Sequence, residues 1–162
     1  MTHDTFATKL YGAVYRGRAG EKLVSQAYEP GEAGIYPAYA VRRSVKKIYL
    51  CKSGELFYGI ADCPLGHDLD TVIATTEDVE CFERGSKNIV AAWMVAATPT
   101  TDLDGGEPMC LSATDGMLKK FAYGDGVEAT DSYLEIVGNF CGDSKITGSS
   151  TNNQIIDLMM SN

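Results

Sequence analysis

Apolar residues recur at every second position in parts of this chain, and short turn signals separate the runs. In Gln154–Met160, the apolar side chains of Ile156, Leu158 and Met160 fall on one side, and Tyr133–Phe140 alternates in the same way. A period of two is the spacing of a β-strand, whereas an amphipathic helix repeats every 3.6 residues. The alternation therefore predicts strands.

The same signal marks further short segments along the chain. The remaining strand candidates are Lys22–Tyr28, Tyr39–Arg42, Lys46–Cys51, Leu56–Asp62, Thr71–Ala74, Val79–Glu83, Met109–Ser112 and Met117–Tyr123. Clusters of Gly, Asp and Ser lie between them, and Asp115-Gly116 is the sharpest hairpin signal. About ten short strands with close turns predict an all-β fold, a small β-barrel or a sandwich.

Two segments add detail to this prediction. The run Ile89–Ala97 fits a short helix and a buried strand equally well, since it mixes alanines with β-branched residues. Val45–Asp62 resembles Leu118–Gly126 followed by Tyr133–Asp143. Both carry a Lys-Lys step, a glycine turn, an apolar strand with a glycine, and an Asp. The similarity predicts an internal duplication, with two β-hairpin units in one barrel.

Length and charge bound the organisation of the chain. At 162 residues it predicts one β-barrel domain over residues 21–162, preceded by an N-terminal arm over residues 1–20, where apolar positions are few. A net charge of −8 makes nucleic acid a poor partner, because phosphate contacts need clustered Lys and Arg. No apolar run is long enough for a membrane span, and the first residues do not read as a secretory signal.

Residue types that carry chemistry are sparse, so no enzyme activity, metal or cofactor is expected. The five cysteines are unevenly spaced and read as reduced, mostly buried thiols. Cys63 and His67 could supply two metal ligands, but a second pair at comparable spacing is missing. The acidic loop Asp102–Glu107 has the oxygen ligands of a cation site without the spacing of an EF-hand, and it reads as a solvated turn.

Tyrosine and arginine concentrate in the first quarter of the chain. These residue types are enriched in the centres of protein interfaces, although tyrosines half-buried along strands explain the pattern equally well. The candidate interface residues are Leu10, Tyr11, Val14, Tyr15, Arg16, Arg18, Tyr36 and Tyr39.

The order of these features resembles the small β-barrel head decoration (capsid cement) proteins of tailed phages and related archaeal viruses. The resemblance rests on the opening glycine-marked stretch, the hairpin PMCLSATDGMLKKF and the closing pair EIVGNFCGD and NNQIIDLMM, within Gly20–Met160. It implies a structural virion protein, made in the host cytoplasm, that binds the major capsid protein on the outer capsid surface as a homotrimer. Two other classes stay open: a tail-tube or adaptor subunit, and a small β-barrel ligand-binding or enzyme module.

Overall fold

The computed structural model describes residues 3–4, 14–17, 25–95, 103–121, 136–142 and 153–161. These residues form strands and turns without a helix, so none offers a helix able to cross a membrane. The strands are β1 (His3–Asp4), β2 (Tyr15–Gly17), β3 (Glu29–Pro30), β4 (Ala40–Ser44), β5 (Lys47–Leu50), β6 (Gly59–Ala61), β7 (Cys81–Glu83), β8 (Ile89–Met94), β9 (Pro108–Leu111), β10 (Leu118–Lys120), β11 (Ile136–Phe140) and β12 (Asn153–Met160). Ten of them have three residues or more, which confirms the predicted all-β fold of about ten short strands.

The first half of the chain forms a closed five-stranded sheet. Its strands lie in the order β3-β5-β4-β6-β7. Tyr28 and Val79, next to the two outer strands, exchange both main-chain hydrogen bonds (2.9 and 2.8 Å), and this bridge joins the ends of the sheet. The small core inside this ring consists of Tyr28, Ile35, Val41, Ile48, Ala61, Ile73, Val79 and Cys81.

The second half closes in the same way. Its strands lie in the order β8-β10-β9-β11-β12, and β12 pairs back onto β8 from Gln154 to Met159. A single parallel pair, Leu118 with Met94, joins β10 to β8. The short strands β1 and β2 attach to the outside of this ring, β1 parallel to β12 and β2 antiparallel to β8.

The two rings are copies of one topology, which we name repeat 1 (residues 25–84) and repeat 2 (residues 89–161). In both rings, the first strand in chain order pairs parallel with the third (β3 with β5, β8 with β10). All the remaining neighbouring strands pair antiparallel. Individual main-chain hydrogen bonds also correspond, from N–H to O: Gly31–Ile48 with Val95–Leu118, Ala38–Ala61 with Gly106–Phe140, Asp62–Glu80 with Cys141–Asp157, and Arg84–Tyr58 with Ser161–Val137. The two repeats therefore share one topology, although the Lys-Lys steps compared in the sequence are not equivalent: Leu118, which precedes the second step, corresponds to Ile48, which follows the first.

The duplicated unit is larger than the sequence comparison indicated. We expected two hairpin units within one barrel, but each copy forms a complete ring of five strands. The reason is that each ring is closed by segments outside the compared stretches, namely Tyr28 with Val79 in repeat 1 and β8 with β12 in repeat 2.

One glycine is required at the same place in both repeats. Gly59 lies opposite Glu83 across β6 and β7, next to the Phe82 carbonyl, and Gly138 lies opposite Met160 across β11 and β12, next to the Met159 carbonyl. A Cβ atom at either glycine would overlap the oxygen of that main-chain carbonyl. Because a carbonyl in a strand ladder cannot move aside, only glycine allows this close approach.

The two repeats share one large core. The interior of repeat 2 belongs to the same apolar cluster as the outward side chains of Ala40, Ile60 and Phe82 in repeat 1. At the edge of this junction lies the turn of the β9–β10 hairpin. The Gly116 N–H donates to the Cys51 carbonyl, and the Ala40 N–H donates to the Gly116 carbonyl, both at 2.8 Å.

Several local predictions are settled by these strands. The Asp115-Gly116 hairpin is confirmed, since Leu111 and Leu118 pair across it. The ambiguous run Ile89–Ala97 is a strand over the β8 residues. The strand predicted at Thr71–Ala74 is wrong, because these four residues are irregular. The Ile73 N–H donates a hydrogen bond of 2.8 Å to the Ile35 carbonyl, which does not extend into a strand ladder. Glu29–Pro30, expected to open a turn, is the strand β3 instead.

The predicted N-terminal arm falls largely on residues outside the described set. Of residues 1–20, the structure describes His3–Asp4 and 14–17, which pair with β12 and β8. Val14 is completely buried in the large core.

Candidate interaction surfaces

Four of the candidate interface residues lie near the junction between the repeats. Val14 and Tyr39 are buried, while Tyr15 and Tyr36 are half-buried against the large core. The Tyr15 ring stacks on Phe82 at 6.0 Å, and the Tyr36 and Tyr39 rings lie 5.2 Å apart. Burial is the main cause that raises the pKa of Tyr39 above its usual range. Within one chain, these side chains hold the repeats together.

The other four candidates contribute less to this picture. Leu10, Tyr11 and Arg18 lie outside the described residues, and Arg16 lies in β2. Whether this region binds a partner stays a prediction.

The side chains of Cys63 and His67 have different partners in the structure. The Cys63 thiol donates to the His67 carbonyl (3.2 Å), whereas the His67 Nε2 atom lies 2.9 Å from a Glu77 carboxylate oxygen. Burial, and then the neighbouring carboxylates of Asp62 and Asp68, raise the pKa of Cys63 to about 11. Among the described residues, no group of three His, Cys, Asp or Glu side chains is placed to hold a metal ion.

In the acidic loop before β9, the Glu107 carboxylate binds groups of the protein itself. One Glu107 oxygen accepts the Asp104 N–H (2.7 Å), and the other lies 2.8 Å from the Lys120 ammonium. The Gly106 carbonyl accepts a hydrogen bond from the Asn139 amide (2.9 Å). These partners occupy oxygen atoms that a cation site would need, while Asp102 lies outside the described residues.

A cavity of about 240 Å³ opens at the end of β6. It is lined by Ala27, Asp62, Cys63, Pro64, Leu65, Asp78 and Glu80. Small-molecule sites are usually about 300–1,000 Å³ and mostly apolar. This cavity is smaller and carries three carboxylates, which argues against an organic ligand of drug-like size.

The turn of the β4–β5 hairpin is a surface that the sequence reading missed. We call Ser44–Lys47 the hairpin tip: all four residues are exposed, and Val45 is 86% exposed with a φ of 55°. A positive φ is a strained conformation for a β-branched residue, which glycine or asparagine adopts far more easily. The Ser-Val-Lys-Lys sequence gave no turn signal, because it lacks both of those residues.

The base of this hairpin is held rigidly. The Arg43 guanidinium lies over the rings of Tyr58 (5.1 Å) and Tyr28 (5.5 Å), and it donates a hydrogen bond of 2.8 Å to the Tyr28 hydroxyl. The Tyr58 hydroxyl in turn donates to Glu83 at 2.7 Å. Cation–π and hydrogen-bond contacts of this kind fix the direction in which the tip projects.

The second open surface is the outward side of repeat 2. We call Pro108, Asn139 and Met159 the acceptor face. Pro108 and Asn139 are half-buried, and Met159 is 44% exposed. By strand register these residues correspond to Ala40, Ile60 and Phe82, the residues that repeat 1 buries against repeat 2.

Comparison with protein-family models and with curated proteins finds no match for this chain. The function is therefore argued from the repeats and from the two open surfaces.

Proposed function

We propose that the protein is a structural virion subunit that binds the outer surface of a viral capsid and stabilises the head lattice. In this proposal it contacts the major capsid protein, acts as a homotrimer and carries no catalytic activity. The chain would be made in the host cytoplasm and end on the particle.

The single observation that carries the proposal is the construction of two closed, equivalent barrels from one chain. Closure satisfies the main-chain groups of the strands, which matters for a protein packed at high density, because open strand edges aggregate. The sequence resemblance to head decoration proteins supports the same conclusion, and the net charge of −8 helps unassembled copies stay apart.

The contact between the repeats favours a second candidate, a tail-tube or adaptor subunit. In this contact, repeat 1 contributes the outward side chains of its sheet. Repeat 2 contributes the turn of its β9–β10 hairpin and apolar side chains from its interior. Such a contact between different surfaces generates rings or open tubes when it is repeated.

Electron microscopy of labelled particles tests the proposal and separates it from this second candidate. An antibody raised against the purified protein is coupled to gold and applied to intact virus particles from cells that carry the gene. The control is the same antibody absorbed beforehand with purified protein. Labelling over the outer head supports the decoration function.

Labelling along the tail would instead favour the tube or adaptor subunit. The absence of labelling on any particle, when the protein is detected in the same lysate, would overturn both. Adding purified protein to particles that lack it should also raise the temperature at which the heads release their contents.

A further inference from the structure

The junction inside the chain joins two equivalent barrels through surfaces that differ. Repeat 2 presents the turn of its β9–β10 hairpin, with Gly116 bonded to Ala40 and Cys51 of repeat 1. Repeat 1 presents the outward side chains that join the large core. Since the two repeats share one topology, each of these surfaces has a counterpart in the other repeat.

Both counterparts are accessible on this chain, the tip fully exposed and the face partly exposed. The counterpart of the β9–β10 turn is the hairpin tip, because β4 and β5 correspond to β9 and β10. The counterpart of the face buried in repeat 1 is the acceptor face of repeat 2. Each chain therefore presents, in different repeats, both surfaces that a contact like its internal junction would need: the hairpin tip and the acceptor face.

We propose that the hairpin tip of one copy binds the acceptor face of a second copy, so that the junction between repeats is repeated between chains. The proposal deepens the self-association within the proposed function by naming the surfaces that meet. It does not depend on a capsid, since purified protein alone is enough to test it.

The state of Val45 supports a contact outside its own chain. The side chain is largely in water and the backbone is strained, so the residue costs stability in the isolated chain. Strain that persists at an exposed position points to function, and an apolar side chain at the tip can be buried only by a partner. Met159 supplies an exposed, flexible apolar surface of the kind that adapts to such a side chain.

Charge also favours a second copy as the partner. The tip and its base carry exposed Arg43, Lys46 and Lys47, of which Lys47 lies 3.9 Å from a Glu29 carboxylate oxygen, while the whole chain has a net charge of −8. The exposed Asp104 lies in the loop that leads into the acceptor face at Pro108. A positive tip is therefore attracted to the acidic body of its neighbour.

One difference makes the contact between chains weaker than the junction within a chain. Pro108 stands where repeat 1 has Ala40, and proline has no N–H to donate to the incoming turn. One of the two main-chain hydrogen bonds is thus lost. The association should accordingly depend on protein concentration, as expected for a subunit that assembles on a lattice.

The symmetry of this contact connects it to the trimer. Head-to-tail contacts close into a ring when the rotation between copies allows it. Three copies would then place six equivalent barrels around one axis.

Two variants and their mixture test the proposal by analytical ultracentrifugation. Val45→Asn with Lys46→Glu removes the tip, and Met159→Lys removes the acceptor face at a position already partly in water. We expect the wild-type mass to rise with concentration and each variant to associate roughly tenfold more weakly or not at all. Leu56→Asp is the matched control, because Leu56 is 79% exposed and lies between β5 and β6, outside both surfaces; it should associate like the wild type.

The mixture is the decisive measurement. Each variant keeps one intact surface, so a 1:1 mixture should form a dimer of one copy of each and grow no further. Raising the salt from about 0.1 M to about 1 M should weaken wild-type association, since the charges at the tip are screened.

Three results would overturn the proposal: a wild-type protein that stays monomeric at every concentration tested, variants that associate like the wild type, or a mixture that stays monomeric. Circular dichroism of each variant confirms that it is folded. Failure here leaves particle labelling unaffected, and failure of particle labelling leaves the association measurement unaffected, so the two proposals are tested separately.

Discussion

Replacing Val45 by asparagine should stabilise the isolated chain, although it removes an apolar side chain. Val45 has a φ of 55°, a conformation that costs a β-branched L-residue roughly 1–2 kcal/mol and that asparagine tolerates. The side chain is 86% exposed, so the burial that is lost contributes only about 0.3 kcal/mol. The balance is a gain of about 1 kcal/mol in the free energy of unfolding.

Thermal unfolding followed by circular dichroism measures this gain. For a chain of this length, about 1 kcal/mol corresponds to a rise in Tm of about 2–4 °C. Val72→Asn is the matched control, since Val72 is also an exposed valine but its φ lies outside the left-handed region. It should show no gain.

A Tm for Val45→Asn at or below that of the wild type would refute the argument about strain. An equal rise in both variants would assign the gain to asparagine itself. If Val45→Asn is more stable yet associates less, the strain at the tip is retained at a cost in stability because the contact requires the valine.

The paired glycines, the junction and the Glu77 carboxylate give further expected outcomes. Gly59→Ala and Gly138→Ala should each lose about 1–3 kcal/mol in urea unfolding, because both force a carbonyl out of its ladder; tolerance at one position alone would contradict their equivalence. Phe82→Ala should lose about 3–5 kcal/mol and shift the fluorescence transition of Trp93, in the other repeat, together with circular dichroism; separate transitions would show that the repeats unfold independently. The pKa of the Glu77 carboxyl is lowered below 4.5, first by the hydrogen bond from the Ala74 N–H and then by the His67 imidazole. The ionised carboxylate therefore stabilises the fold fully above pH 4.5, and this stabilisation is lost as the pH falls through the lowered pKa. Glu77→Gln should therefore be less stable than the wild type at pH 7, and the difference should vanish as the pH falls through the lowered pKa; a difference that persisted in acid would contradict this cause.

The sequence could predict the strands because their evidence is local. Alternation identified β12, and the Asp115-Gly116 pair located the β9–β10 hairpin. One sign of the duplication was local as well, since Gly59 and Gly138 occupy equivalent positions, whereas the Lys-Lys steps at 46–47 and 119–120 do not. The closure of each ring was not predictable in this way: Tyr28 and Val79 meet from near opposite ends of repeat 1, and no local pattern encodes which distant segment completes a sheet.

The candidate surfaces were harder to predict, since a period of two shows which residues share a face but not what covers that face. Val14 and Tyr39 read as interface residues, yet both are buried inside a single chain. No turn signal marks the hairpin tip in the sequence, because Val45 occupies a positive-φ conformation in which glycine or asparagine is usually found. Strain of this kind is visible only once the backbone is known.

Comparison of the two repeats separates what the barrel requires from what its surroundings require. Gly59 and Gly138 are the same residue at equivalent positions, because the strand ladder leaves no space for a side chain there. Ala38 and Gly106 both have a positive φ, because the chain makes the same turn before the second strand of each repeat. The outward positions differ: Phe82 is fully buried in repeat 1, while its counterpart Met159 is exposed in repeat 2. Since the internal requirements of the two barrels are the same, that difference comes from what lies outside each barrel. For repeat 1 the neighbour is repeat 2, whereas the corresponding residue of repeat 2, Met159, is exposed, which is why the proposed contact between copies is placed there.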